Sequence, residues 1–311
     1  MTRILSNTFM MDLKDSCSHL GKLLQYIHSD NTLDLEIREN YFNIYYRGGN
    51  ALRVKEKSTH QFEYFFDDNY LKFTSFITKD VVDSFKASGD WNNYFAFVKQ
   101  AMDFYFTKCC KEEREFQQLI VRENNYSTIA NSTDYFIIDI EYDNHKNVRF
   151  DLVALEWQSD ASIRKLFGGY KPRLVVMELK YGDGALKGCA GIGKHVEDFK
   201  SFCSFPQEIK EFKEEMFGVY KQKRELGLFP CLSGNGNLKD ITSIAAEVKM
   251  LFLIANHDPA SRILAKEFEC INDENLGFVT SNFMGYGLFK ENVFKYSDLN
   301  TRFKSQIHNV L

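Results

Sequence analysis

The chain has 311 residues, a formal net charge of −4, 44% hydrophobic and 26% charged residues. That is ordinary globular composition, with room for one large or two smaller cored domains, and it excludes a protein that coats nucleic acid through bulk charge; a local basic groove stays open, because a field depends on where the charges sit. Four prolines, no low-complexity tract and no apolar run near the ~18 residues of a membrane helix lead us to expect a cytoplasmic protein without long disordered linkers or a membrane span.

Residues 33–66 read as a β-meander. LDLEIR, YFNIYYR, ALRVKEK and FEYFF are β-rich runs separated by Glu39-Asn40, Gly48-Gly49-Asn50 and the polar STHQ. Within YFNIYYR, Tyr41, Asn43, Tyr45 and Arg47 alternate with Phe42, Ile44 and Tyr46. Two readings of the aromatic face stand side by side: a platform for bases, or rings that simply suit a pleated sheet. From Trp91 to about Asn124 no Gly or Pro occurs, and apolar residues recur at helical spacing. Asp90 is the expected N-cap of that helix and Cys109-Cys110 the place for a break.

TDYFIIDIEY (133–142) and VRFDLVAL (148–155) read as a hairpin across the turn DNHKN, in which His145 and Lys146 meet water. RLVVMELK (173–180) is a near-continuous apolar run, as in a strand covered on both faces. GIGKHVEDFKSFC reads as a helix, PQEIKEFKEEMFGVYKQKREL as a charged amphipathic helix and VKMLFLIA (248–255) as a second buried strand. Asp258-Pro259 gives an N-cap and first-turn proline for a helix to about Glu269. The seven cysteines are scattered without a C-x-x-C pair, so they read as reduced thiols, neither a disulfide frame nor a zinc site.

Two chemistries overlap in LVVMELKYGDGALKGCAGIGKHVEDF. Gly188 to Lys194 spells G-x-x-x-x-G-K, the start of a phosphate loop. That loop needs Ser or Thr after the Lys to ligate magnesium, and here His195 follows. YGDGALK also separates the strand from the loop. The second motif is Glu178-Leu179-Lys180. Other [DE]-x-K triplets in the chain sit on polar helices or before a strand; this one closes a buried strand and follows a hairpin that carries Asp151. Two carboxylates from adjacent strands, Asp151 and Glu178, can hold Mg²⁺ or Mn²⁺ and leave positions open for water and phosphate. Side chains at i and i+2 share a strand face, so Lys180 points with Glu178. Asp139 and Glu141 share a face with Ile137 by the same alternation, and either reach the metal region or meet solvent. The glycine-rich stretch 182–193, with Lys165, Lys171, Arg173, Lys187 and Lys194 around it, reads either as a basic phosphate-approaching loop or as an ordinary connector.

The order of a helix bearing acids, a hairpin with FD, an apolar strand ending in ELK, then a helix resembles the PD-(D/E)XK nuclease superfamily over roughly residues 110–260. Phe150 stands where the motif name has proline. The resemblance implies a restriction-endonuclease-like α/β fold, a mixed central sheet flanked by helices, with the N-terminal β-meander and helix region added. It implies Asp151 and Glu178 as metal ligands and Lys180 as the catalytic lysine. It also implies a Glu on the first core helix, where Glu112, Glu113, Glu115 and Glu123 qualify by position and Glu115 is our choice, and an assisting residue on the helix after ELK, where His195 is the candidate. The implied activity is Mg²⁺- or Mn²⁺-dependent hydrolysis of nucleic acid, DNA ahead of RNA, with a homodimer expected if two strands are cut. The alternatives are a catalytically inactive nuclease-fold binding or scaffold protein, and a nucleotide-binding protein using Gly188–Lys194. The expected organisation is an N-terminal meander region to residue 90, a connecting helix over 91–124 whose end joins the nuclease core, and a nuclease domain over 125–311.

Overall fold

The computed structural model describes residues 3–144, 148–164, 170–188, 190–232, 241–258, 262–269, 271, 273, 275–281, 287–295 and 297–298. His145, Lys146, Lys165 and Pro259 lie outside the described residues. The chain divides into two compact units, one of Met1–Ser127 with Gly218–Ser233, the other of Thr128–Phe217 with Gly234–Leu311. No helix among the described residues is long and apolar enough to cross a membrane.

The first unit begins with two helices that the meander reading did not include, α1 (Asn7–Lys14) and α2 (His19–Ser29). Each starts at a serine, Ser6 or Ser18, whose hydroxyl accepts an otherwise unsatisfied first-turn N–H. The meander follows as β1 (Asp34–Ile37), β2 (Tyr41–Tyr46), β3 (Gly49–Ser58) and β4 (Gln61–Phe65), an antiparallel sheet in sequence order. Its inner face carries Phe42, Ile44, Leu52 and Val54, all fully buried, and Phe9 of α1 packs on Phe42 and Phe62. Helix α3 (Lys79–Ser88) precedes α4 (Trp91–Lys108), which Asp90 caps, and the chain breaks at Cys109-Cys110 before α5 (Glu112–Val121).

The expected boundaries at 90 and 124 differ from this division, and Gln118 shows why. From α5 it accepts a hydrogen bond from Gly48 N and donates to the Thr32 and Tyr45 carbonyls. Those bonds make α5 part of the first unit. Residues 218–233 return to the first unit as well, with Gln222 bonding both backbone groups of Leu5.

Lys99 of α4 ties down the end of α2 through Asp30, and Thr32 donates to the same carboxylate. Burial pushes the Asp30 carboxyl up, but the bonds from Lys99 and Thr32 outweigh it and hold the group below its ordinary value. A depressed folded-state pKa adds stability that is present above the unfolded value of about 3.9 and is lost as pH falls through the folded value. Asp30→Asn is expected to cost about 1–2 kcal/mol at neutral pH. Thermal melts of both proteins should converge as the pH is lowered below about 4; an undiminished gap in acid would contradict this role.

The second unit is built on a six-stranded mixed sheet in the order β10-β9-β8-β7-β6-β5. The hairpin β5 (Tyr135–Asp143) and β6 (Arg149–Glu156) leads through the short α6 (Ala161–Arg164) to β7 (Arg173–Tyr181), antiparallel to β6. Helix α7 (Ile192–Cys203) and helix α8 (Pro206–Glu225), whose residues from Gly218 on belong to the first unit, then precede β8 (Val248–Ala255), which pairs parallel with β7. After α9 (Arg262–Glu269), β9 (Leu276–Ser281) adds a parallel strand and β10 (Phe294–Lys295) an antiparallel edge. The sheet is flanked by helices. Leu174 through Lys180 are all buried, in keeping with the apolar run; each aliphatic side chain there stabilises by about 1.5–3 kcal/mol.

One strand departs from simple alternation. A bulge separates Ile137↔Ala154 from Asp139↔Val153. It moves Asp139 off the face of Ile137 and onto the face of Val153 and its partner Val176. That face also carries Glu178. Asp139 is fully buried there, and Glu141 adopts a left-handed backbone with φ 54°.

Candidate active site

The site forms where two paired strands part. The β6–β7 ladder runs from Glu156↔Arg173 to Leu152↔Met177 and stops. One further step would set Asp151 against Glu178. Instead the Asp151 side chain takes over the backbone's role, and its Oδ2 accepts the Leu179 N–H at 2.8 Å. This bond satisfies a strand N–H beside the ladder's end and pins the carboxylate against the Glu178-Leu179-Lys180 stretch of β7.

Glu178 and Lys180, two residues apart on that strand, emerge on one face as the pleat requires. Each is only 4% exposed. Lys180 Nζ donates to Glu178 Oε1 at 3.1 Å and lies 3.1 Å from His195 Nε2, while His195 Nε2 lies 3.0 Å from the same Glu178 oxygen. The three atoms make a triangle about 3 Å on a side. Burial, then the neighbouring Lys180 ammonium, lowers His195 to about 4. The imidazole is therefore neutral at pH 7. With Nε2 accepting from the lysine, Nδ1 is left as the donor to the Ala190 carbonyl, a tautomer assigned from the bonding network. Lys180 is the one group in the triangle with protons to give, and it holds two acceptors at once. A buried ion pair gives little net stability for its desolvation, which makes this cluster a candidate for function.

The loop after β7 sets His195 in place. Gly182 leaves the strand with φ 69° and donates its N–H to the Ala255 carbonyl. The chain then folds back so closely that a Cβ at Gly191 would sit 2.6 Å from the Lys187 backbone. Only glycine fits there, and α7 begins at the next residue, placing His195 in its first turn over the end of β7.

Of the sequence candidates, Glu178, Lys180 and His195 come together directly, and Asp151 joins them through Leu179. Glu115 belongs to the first unit, where both its oxygens are taken by Arg47, 68 residues away in the chain, at 2.8 Å and 3.1 Å. The phosphate-loop reading gains nothing from the geometry, because Lys194 is exposed and paired with Asp198 at 2.5 Å and a 3₁₀ turn, Asp183–Ala185, separates strand from helix. Of the surrounding basic residues, Arg173 is paired with Glu156 and Glu247; Lys171 and Lys187 have no ion pair among the described residues. Asp139 is the buried acid that alternation misplaced, since nothing in IIDIEY announces the bulge.

The cation implied by the sequence can be tested against the donors present. Among the described residues no group of three or more His, Cys, Asp or Glu is arranged to hold a metal ion. Two carboxylates, Asp151 and Glu178, remain as hard-oxygen donors. Mg²⁺ is commonly held by one or two carboxylates with waters and substrate phosphate filling the rest, so this donor set fits it chemically. The chain matches no protein-family model, no curated protein and no solved structure.

Proposed function

We propose that this chain is a divalent-metal-dependent phosphodiesterase with a restriction-endonuclease-like second unit, hydrolysing DNA at Asp151, Glu178 and Lys180. The carrying observation is the buried Glu178–Lys180 pair closed by His195 at the point where β6 leaves β7. An antiparallel β5-β6-β7 run followed by helices and a parallel β8 supports the reading.

Asp151 and Glu178 would hold the cation, which would supply charge neutralisation at the phosphate and a more acidic water. The protein's own groups do the rest. Leu179 N–H fixes the Asp151 carboxylate. Lys180 has a third ammonium proton beyond those given to Glu178 and His195, and presents it to the attacking water or a non-bridging phosphate oxygen. His195, locked by Ala190, keeps the ammonium aimed. Burial of the lysine strengthens its field on a developing negative charge.

The test is plasmid nicking by the purified full chain. Supercoiled DNA should relax to open circles with Mg²⁺ or Mn²⁺ and stay intact in EDTA, and calorimetry should show a Mn²⁺ binding heat that Glu178→Ala abolishes. Absence of both cleavage and binding heat would sink the proposal. A binding heat without cleavage would replace the enzyme by a nuclease-fold binding protein.

A further inference from the structure

The four-stranded sheet of the first unit has an outer face that its core does not use. Register places Asn43, Arg53 and Phe65 side by side across β2, β3 and β4, with Tyr41, Lys55 and Glu63 in the next row. Directly opposed side chains share a face, so these six form one surface, opposite Phe42, Leu52 and Val54. Half of that face is closed. On β1, Glu36 receives Lys223 and Asp34 receives the Tyr126 hydroxyl. The other half is open, and there Phe65 is 51% exposed.

An outward sheet face is expected to be polar. This one holds two rings with a cation between them. The Arg53 guanidinium lies 5.1 Å from the Tyr41 ring centre and 5.8 Å from that of Phe65, and its Nε donates to Asn43 at 3.1 Å. Tyr45 receives the Asn43 amide on the same side. The arginine is thus held in advance between the two rings. Lys55 beside it has no ion pair among the described residues, whereas Lys57 is neutralised by Glu63. Arg53 and Lys55, with no carboxylate partner among the described residues, stand beside Tyr41 and the half-exposed Phe65.

The geometry points to a binding platform for single-stranded nucleic acid on the Tyr41, Arg53, Lys55 and Phe65 face of this sheet. The charge calls for a polyanion. The rings call for planar bases, and only an unpaired strand offers their faces; a duplex keeps them stacked inside. Phe65 and Tyr41 stack on bases while Arg53 and Lys55 meet the phosphates. The chain's net negative charge is no obstacle, because the platform is local. It belongs to the first unit and the Glu178 cluster to the second, and it does not depend on whether that cluster cuts.

Fluorescence anisotropy with labelled oligothymidylate and oligouridylate, both in EDTA so that no metal-dependent cleavage intervenes, tests the platform. The full chain should bind at least one of them, the stronger arm telling DNA from RNA. Phe65→Ala should weaken binding by about tenfold or more, the usual loss for one stacked base. Arg53→Ala should do likewise and reduce the salt dependence by about one phosphate contact. Lys22→Ala, at an exposed position of α2, should leave binding unchanged. Phe65 is an exposed side chain, so its variant should melt as the parent does. Binding that survives both Phe65→Ala and Arg53→Ala, no binding of either oligonucleotide, or equal competition by duplex DNA would each overturn the proposal.

Discussion

The double variant Glu178→Gln/Lys180→Met is expected to melt at or above the temperature of the parent protein and to lose DNA nicking by about 10³-fold or more. The two expectations come from one geometry. Glu178 and Lys180 are both almost wholly buried, so each charge has given up its water, and their 3.1 Å contact offsets only part of that loss. Replacing both with neutral groups of similar length removes the desolvation cost and the attraction together. Single variants behave differently. Lys180→Ala takes the ammonium away from the buried Glu178 carboxylate, and breaking a buried pair from one side costs about 3–5 kcal/mol. Lost nicking in the single variant would therefore mix chemistry with stability. The double variant separates them. Circular dichroism and plasmid nicking on the same preparation give the answer: an inactive protein with an unchanged or raised melting point fits a site kept for function, and a double variant that still nicks, or that melts well below the parent, removes the argument that these charges serve catalysis.

What the sequence disclosed, and what it withheld, follows from the range of the forces involved. The strand over 173–180 was legible because burial on both faces demands an unbroken apolar run, and Glu178 and Lys180 stood out as charges inside it. The meander was legible because turn residues and alternation are local. His195 was readable as a helix residue, but its contact with Lys180 depends on Gly191 folding the loop back, a backbone approach that no periodicity encodes. The bulge at Ile137–Asp139 reversed the face of Asp139 for a similar reason: one extra residue shifts every side chain beyond it. Glu115 was assigned by position along a helix, whereas its partner Arg47 and the bonds of the neighbouring Gln118 are long-range features. The return of residues 218–233 to the first unit is the extreme case. Lys223 meets Glu36 across 187 residues of sequence, and nothing within the helix YKQKREL distinguishes that lysine from its solvated neighbours.

Lys223 is also where the largest loss of stability in the first unit is expected. Its side chain is 1% exposed, that of Glu36 is fully buried, and the ammonium sits 2.6 Å from the carboxylate. Arg38 stands 3.8 Å from the other oxygen of Glu36, too far to replace the lysine's hydrogen bond, and it donates instead to the Ile37 carbonyl. Lys223→Ala should therefore cost about 3–5 kcal/mol, a fall in melting temperature on the order of 10 °C. The chain's two tryptophans allow this to be read in one unit alone, since Trp91 lies in the first unit and Trp157 in the second. In a Trp157→Phe background, the fluorescence of the buried Trp91 reports the first unit. Glu36→Leu/Lys223→Met in that background should recover most of the loss, because no unpaired carboxylate or ammonium of this pair is left in the interior. If the double variant is as unstable as Lys223→Ala, the lysine acts through packing of its methylenes and the buried pair is not what fastens residues 218–233 to the sheet.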